Sequence, residues 1–266
     1  MLKVDAITKV FLPGTVNEKV ALNQVSFELK AQDFVTVIGG NGAGKSTTLN
    51  AVAGMFPVDS GSIRIDGTDV TGLPEHKRAK YIGRVFQDPR LGTAPNMTIE
   101  ENLAMAYRRG QSRGLRKGVT AEERKLFREL LTSLDLGLEN RMSTRAGLLS
   151  GGQRQALTLL MATMTHPKLL LLDEHTAALD PKTAKKVLEL TEKFITEDKL
   201  TVLMITHNMR DALRYGNRIM MMHEGQVLLD LPEEQKRNLE VADLMKLFEE
   251  ASGGGDGALS DRMLLS

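Results

Sequence analysis

Gly39-Gly40-Asn41-Gly42-Ala43-Gly44-Lys45-Ser46 carries glycines, a lysine and a hydroxyl at the spacing G-x-x-x-x-G-K-[ST]. Glycines let backbone N–H groups turn inward on phosphate oxygens, and a helix N-terminus adds its own donors and the positive end of its dipole. Lys45 is suited to reach β- and γ-phosphates, and the Ser46 hydroxyl to complete the shell of a magnesium ion. Residues 34–38 read as a buried strand and residues 47–53, from Thr47, as a helix. That is the strand, loop and helix order a phosphate cradle requires. An ordinary glycine-rich turn between a strand and a helix is the rival for the string alone; the rest of the chain weighs against it.

The second chemical signal is Leu169-Leu170-Leu171-Leu172-Asp173-Glu174. Four consecutive apolar residues make a strand covered on both faces. The two carboxylates then stand at its ligand-facing tip. A carboxylate pair after a strand is more often a helix cap. Downstream of a phosphate loop it reads as a metal ligand, Asp173, followed by a base that orients or deprotonates water, Glu174. Gln87 and His207 also end strand-like runs, residues 82–86 and 202–206. Each alone is a surface or capping residue; in a parallel sheet both converge on the edge that carries the phosphate loop. Gln87 can offer magnesium an oxygen, and His207 can bond a γ-phosphate and the attacking water. The remaining histidines, at 76, 166, 175 and 223, have no metal-ligand spacing and read as structural.

A third signal is Leu149-Ser150-Gly151-Gly152-Gln153, opening a helix read from Gln153. Ser150 is a natural N-cap, and Gly151 and Gly152 expose N–H groups at a helix start, a second anion site. It has no lysine or carboxylate pair of its own. A two-fold dimer accommodates it, with Ser150 and Gly152 of each chain closing over nucleotide held by the other.

These residues need a scaffold of alternating strands and helices. The N-terminal part is β-rich, with strands expected at residues 2–8 and 20–29, then near 61–67 and 81–86. Residues 98–148 turn helical: Thr98 and Thr120 each precede a glutamate at the spacing of a capping box. The core then resumes with strands at 169–172, 201–205, 218–222 and 226–231 and helices starting at 181 and 209. Such alternation argues a mostly parallel sheet with ligands at the strands' carboxyl ends.

At 266 residues the chain holds one large α/β domain with room for an inserted subdomain. Its 35 Lys and Arg against 34 Asp and Glu give a net charge of +1, no electrostatic reason to expect nucleic acid. There is no cysteine, which excludes thiolate chemistry and disulfides. The N-terminus opens as a strand rather than a signal peptide, and no apolar run approaches the ~18 residues of a membrane span, so the chain is expected to be soluble. One basic cluster, Arg108, Arg109, Arg113, Arg116 and Lys117, has no acid between residues 106 and 120. It reads either as a solvated loop or as a contact for lipid headgroups or a membrane partner.

In order along the chain stand the phosphate loop, Gln87, the LSGGQ string at residues 149–153, Asp173-Glu174, Ala178-Leu179-Asp180 and His207. That succession resembles the ATP-binding cassette (ABC) ATPases over everything but the last ~15–20 residues. The resemblance implies a P-loop NTPase core at residues 1–250, with an N-terminal antiparallel β subdomain, a helical subdomain inserted at about 98–150 and a flexible tail at 251–266. It implies ATP and Mg²⁺ as ligands: nucleotide on Gly39, Asn41, Gly42, Ala43, Gly44, Lys45, Ser46 and Thr47, metal on Ser46, Gln87 and Asp173, and Ser150, Gly151, Gly152 and Gln153 closing over the partner's nucleotide. By the same resemblance Phe11 stacks on adenine, with a plain strand-end phenylalanine as its rival. Asp180 belongs to a loop linking two sites across a dimer. Two departures stand out. His175 replaces the usual proline after the glutamate, and the helix after LSGGQ reads Arg154-Gln155-Ala156-Leu157 without the usual arginines. Neither removes a catalytic group; both bear on loop rigidity.

The resemblance further implies a motor subunit at the cytoplasmic face of a membrane, paired with a second cassette and a separate permease, and with a solute-binding protein if an importer. The insertion and the Gly-Asn-Gly-Ala-Gly-Lys-Ser-Thr-Thr-Leu-Asn run look like cassettes of amino-acid importers of the branched-chain type. The alternatives are an exporter cassette, or a soluble ABC ATPase acting on ribosomes or DNA.

Overall fold

A computed structural model describes residues 1–111 and 118–252. Alternating burial along the N-terminal segment gives β1 (Leu2–Phe11) and β2 (Lys19–Leu29), paired antiparallel with Leu2 opposite Leu29 and Val4 opposite Phe27. β3 (Phe34–Ile38) is buried along its whole length and leads into α1 (Lys45–Ala53). β4 (Ser60–Ile65) and β5 (Thr68–Asp69) form a hairpin over Asp66-Gly67, whose φ values of 51° and 77° suit a two-residue turn. A short helix, α2 (Glu75–Arg78), follows.

The middle of the chain forms β6 (Ile82–Val85), α3 (Ile99–Tyr107), α4 (Ala121–Thr132), α5 (Gly151–Thr163), β7 (Leu169–Asp173) and α6 (Pro181–Asp198). The last part adds β8 (Thr201–Ile205), α7 (Met209–Arg214), β9 (Arg218–His223), β10 (Gln226–Leu231), α8 (Glu233–Lys236) and α9 (Val241–Ala251). No helix among the described residues is long and apolar enough to cross a membrane.

The chain divides into two compact units, Met1–Arg78 with Leu200 onward, and Ala79–Lys199. In the first, β1, β2, β4 and β5 make an antiparallel sheet. Beside it β3 pairs in parallel with both β8 and β9, and β10 closes antiparallel on β9. Ile38, Met209, Ala212, Ile219, Met221, Leu231, Leu244 and Phe248 form one buried cluster against α7 and α9. In the second unit β6 and β7 run parallel, Ile82 opposite Leu169 and Val85 opposite Leu172. α5 is buried along most of its length, Gln155, Thr158 and Thr163 included. α6 instead buries one stripe, Val187, Leu188, Leu190, Thr191, Phe194 and Ile195. The result is an α/β fold combining a mostly parallel layer with a separate antiparallel sheet.

Several boundaries differ from expectation. β1 continues past residue 8 to Phe11, because register shifts let it keep pairing with β2. α5 starts at Gly151 rather than Gln153, because Ser150 caps it. Of the basic cluster, Arg113, Arg116 and Lys117 lie outside the described residues, as does the tail beyond residue 252. The other two members are half-buried and have partners within the protein. Arg108 pairs with Glu123 at 2.6 Å, and the Arg109 guanidinium donates to the carbonyls of Met161 (3.0 Å) and Ile82 (3.3 Å).

Candidate functional site

In the first unit β3 delivers the chain to Gly39, and the loop turns at Gly44, whose φ of +97° is left-handed and strains any residue with a side chain. α3, α4, α5 and α6 begin under side-chain caps from Thr98, Thr120, Ser150 and Asp180. α1 begins under none. Its N-cap is Gly44, which has no side chain to cap with, so the donors and dipole of this helix start are suited to an external anion. Lys45 is buried, its Nζ donating to the carbonyls of Gly39 (2.7 Å) and Gly40 (3.0 Å), so the ammonium is held over the loop. Ala43 and Gly44 are buried, Thr47 is half-buried, and Asn41, Gly42 and Ser46 face solvent.

β8 is parallel to β3, with Phe34 opposite Val202 and Val37 opposite Ile205, so its carboxyl end stands at the same edge as the loop. His207 follows it, half-buried, in a turn fixed by Asn208, which caps α7 by accepting from Asp211 N at 3.0 Å. Phe11, at the end of β1, is 37% exposed and packs edge-to-face on Phe56 with centroids 5.4 Å apart, leaving ring surface open.

In the second unit the parallel pair β6 and β7 brings Gln87 and the strand-end carboxylates together. Gln87 Nε2 donates to Glu174 Oε2 at 3.2 Å. Glu174 itself sits at φ +46°, in the left-handed region. Asp173 lies 3.9 Å from the Arg84 guanidinium, which stacks on the Phe86 ring at 4.5 Å. Ser150 and Gln153 form a reciprocal cap, each side chain accepting from the other's backbone N–H at 3.2 Å. Gly151 is exposed. Gly152 is buried, and a Cβ there would lie 2.0 Å from Thr183 Cγ2, so glycine at this place also permits α5 to approach α6. Asp180 is the N-cap of α6, accepting from Thr183 N at 3.1 Å; hydrogen bonds from the Thr183 side chain and then its backbone hold the Asp180 carboxyl below the usual range.

Two residues near these groups escaped the sequence. Arg84 is a cation inside the run Ile82-Gly83-Arg84-Val85-Phe86, and a charge in an otherwise apolar strand beside a carboxylate strand end is a usable signal. Gln155 is a lone amide on the buried face of α5. His175, read as structural, is buried and bonds Thr191 Oγ1 through Nε2 at 3.0 Å; burial pushes its pKa down to about 4. Among the described residues no cluster of three or more His, Asp or Glu could hold a metal by itself. Gln87 and Asp173 in the second unit offer an amide and a carboxylate oxygen, and Ser46 in the first unit a hydroxyl, each a hard oxygen of the kind magnesium takes.

A family model described as ABC transporter matches residues 22–177. The chain is 43% identical over 251 residues to a tyrosine transport ATP-binding protein of Clostridioides difficile, covering 94% of this chain and all of the relative. It is 34% identical over 226 residues to the high-affinity branched-chain amino acid transport ATP-binding protein BraF of Pseudomonas aeruginosa, covering 82% and 88%. Among solved structures, a dimeric post-hydrolysis state of the ATP-binding cassette MJ0796 bound to ADP and Pi superposes with a TM-score of 0.75 at 32% identity. That match covers 88% of this chain and 99% of the other.

Proposed function

Because the chain belongs to the ABC transporter ATP-binding cassette family and is an ATPase by that membership, we propose that it drives an amino-acid importer, working as a pair of cassettes beneath a separate permease. The observation that carries the solute class is the end-to-end similarity to a relative named for tyrosine transport, joined by one named for branched-chain amino acids. In this reading the chain lies peripherally at the cytoplasmic face of the membrane, a solute-binding protein delivers solute to the permease, and the chain has no nucleic-acid partner. Residues 98–150 form the inserted helical subdomain of a single cassette spanning 1–250.

The ATP phosphates lie on the backbone of Gly39 and Asn41 to Thr47, with the Lys45 ammonium on the β- and γ-oxygens and Phe11 against adenine. Ser46, Gln87 and Asp173 would hold magnesium, which when bound supplies positive charge against the phosphate oxygens. With its amide nitrogen on Glu174, Gln87 keeps a carbonyl oxygen for the cation. Glu174 accepts the proton of the attacking water, and His207 donates to the γ-phosphate and fixes that water. Ser150, Gly151, Gly152 and Gln153 of the second copy close over the γ-phosphate, and the Asp180 loop runs between the two sites. What residues of this chain contribute is placement and electrostatics, the main needs of a loose phosphoryl-transfer transition state.

The test is uptake. Cells lacking this chain should lose energy-dependent accumulation of labelled tyrosine or branched-chain amino acids and regain it with the parental chain but not with Lys45→Ala. Undiminished uptake of all of them would contradict the solute class.

A further inference from the structure

Resting on the reading of Glu174 as the hydrolytic base, we infer that Gln155 is a positioning residue that sets Glu174 against Gln87. Gln155 lies in the second turn of α5 with its side chain fully buried. Its Nε2 donates two hydrogen bonds, to the carbonyl of His175 at 2.7 Å and to the carbonyl of Phe86 at 2.9 Å. His175 immediately follows Glu174, and Phe86 immediately precedes Gln87. One amide group therefore ties together the two backbone segments whose side chains meet at 3.2 Å.

The need for such a tie is visible in the backbone. Glu174 adopts φ +46°, a conformation disfavoured for a residue with a Cβ, which persists only where neighbours over-determine it. The loop after it is held at His175 by the Gln155 amide on the carbonyl and by Thr191 on the ring. Thr191 Oγ1 gives its own proton to the Val187 carbonyl at 2.8 Å, so the ring donates from Nε2. Gln155 meanwhile leaves its Oε1 buried without a hydrogen-bond partner. An unpaired buried oxygen destabilises a fold, and an apolar side chain of the same size would avoid it. The amide is kept for its two donors. Because Gln155 and Ser150 share a helix, the same tie makes the signature segment and the base loop parts of one rigid piece.

The test uses Gln155→Met, which keeps the volume and removes both donors, with Gln155→Asn as a second variant whose amide is one methylene too short to reach both carbonyls. We expect kcat for ATP hydrolysis to fall on the order of tenfold or more in each, since small misplacements of reacting groups carry penalties of that size. KM should stay near parental, and both variants should remain folded with a lowered melting temperature, since the carbonyls of His175 and Phe86 lose a donor. In a Glu174→Gln background, single-turnover hydrolysis of γ-labelled ATP should not fall further when Gln155→Met is added, because the base it positions is already gone. Parental kcat in either folded variant, or an equal additional loss in the Glu174→Gln background, would overturn the inference alone. Hydrolysis by the parental chain that ignores Glu174→Gln would instead remove the reading of Glu174 as base, and this inference with it.

Discussion

In the proposed mechanism Glu174 is the base, and its replacement is the most informative single change. Glu174→Gln removes the proton acceptor while keeping shape, and should slow hydrolysis by at least ~10²-fold, about 2.7 kcal/mol of barrier, with ATP binding retained. Stopped-flow phosphate release and nucleotide titration separate the two quantities. Lys45→Ala acts on the other one: loss of a charge-assisted bond worth ~1.5–3 kcal/mol weakens ATP binding about 10- to 100-fold. His175 gives a residue-scale prediction of pH dependence. Burial lowers its pKa from 6.5 to about 4, so between those values the unfolded chain binds a proton that the folded chain refuses. Its contribution is intact above pH 6.5 and lost as pH falls toward 4, on the order of 3 kcal/mol. His175→Leu should flatten the acid limb of a melting-temperature profile, and an unchanged limb would contradict this. The placement of Lys45 after a strand and glycine loop, of Asp173 and Glu174 at a strand end, and the Ser150 cap could be read from the sequence because each depends on neighbours within a few residues. Gln155 and Arg84 could not, because their partners lie on other elements and nothing local marks an inward-facing amide or guanidinium as satisfied.

At the scale of elements, the helix termini carry the argument. The capping boxes at Thr98 and Thr120 were legible as Thr-x-x-Glu, and both close in the structure. The C-terminal end of α1 was not. There the guanidinium of Arg78, almost wholly buried, donates to Ala51 (2.8 Å), Val52 (2.9 Å), Leu73 (2.7 Å) and Thr71 (2.9 Å). These carbonyls belong to a helix end and a turn, and of the four Ala51 also accepts from Gly54 N at 3.2 Å. Arg78→Met should lower stability on the order of 3 kcal/mol, measured by urea unfolding. A loss below ~0.5 kcal/mol would show that water replaces the guanidinium. Ser150 bears on two elements at once. Ser150→Arg removes the α5 cap, costing about 1 kcal/mol, and places a bulky cation where the second copy is proposed to close. Monomer ATP binding should stay near parental while hydrolysis is lost. Normal turnover in that variant would contradict the shared site.

For the whole molecule, the parallel pairings put candidate chemistry at strand ends: in the first unit β3 and β8 bring the glycine loop and His207 to their carboxyl ends, and in the second β6 and β7 bring Gln87 and Glu174 to theirs. Alternating apolar runs and helical stretches made this α/β order readable in advance, since period and strand length are local properties. The division into two compact units at residues 78/79 and 199/200 was not readable, because it depends on which distant segments pack together. A near-neutral net charge agrees with a motor that works through partners and nucleotide rather than by broad electrostatic attraction. In the proposed function, hydrolysis belongs to a pair of chains. This is tested most directly by measuring ATP turnover per chain across a dilution series while analytical ultracentrifugation in the same ATP buffer reports the association state. Turnover should rise and fall with the fraction of dimer, vanishing as the sample becomes monomeric. Constant turnover per chain in a sample that sediments wholly as monomer would contradict the account.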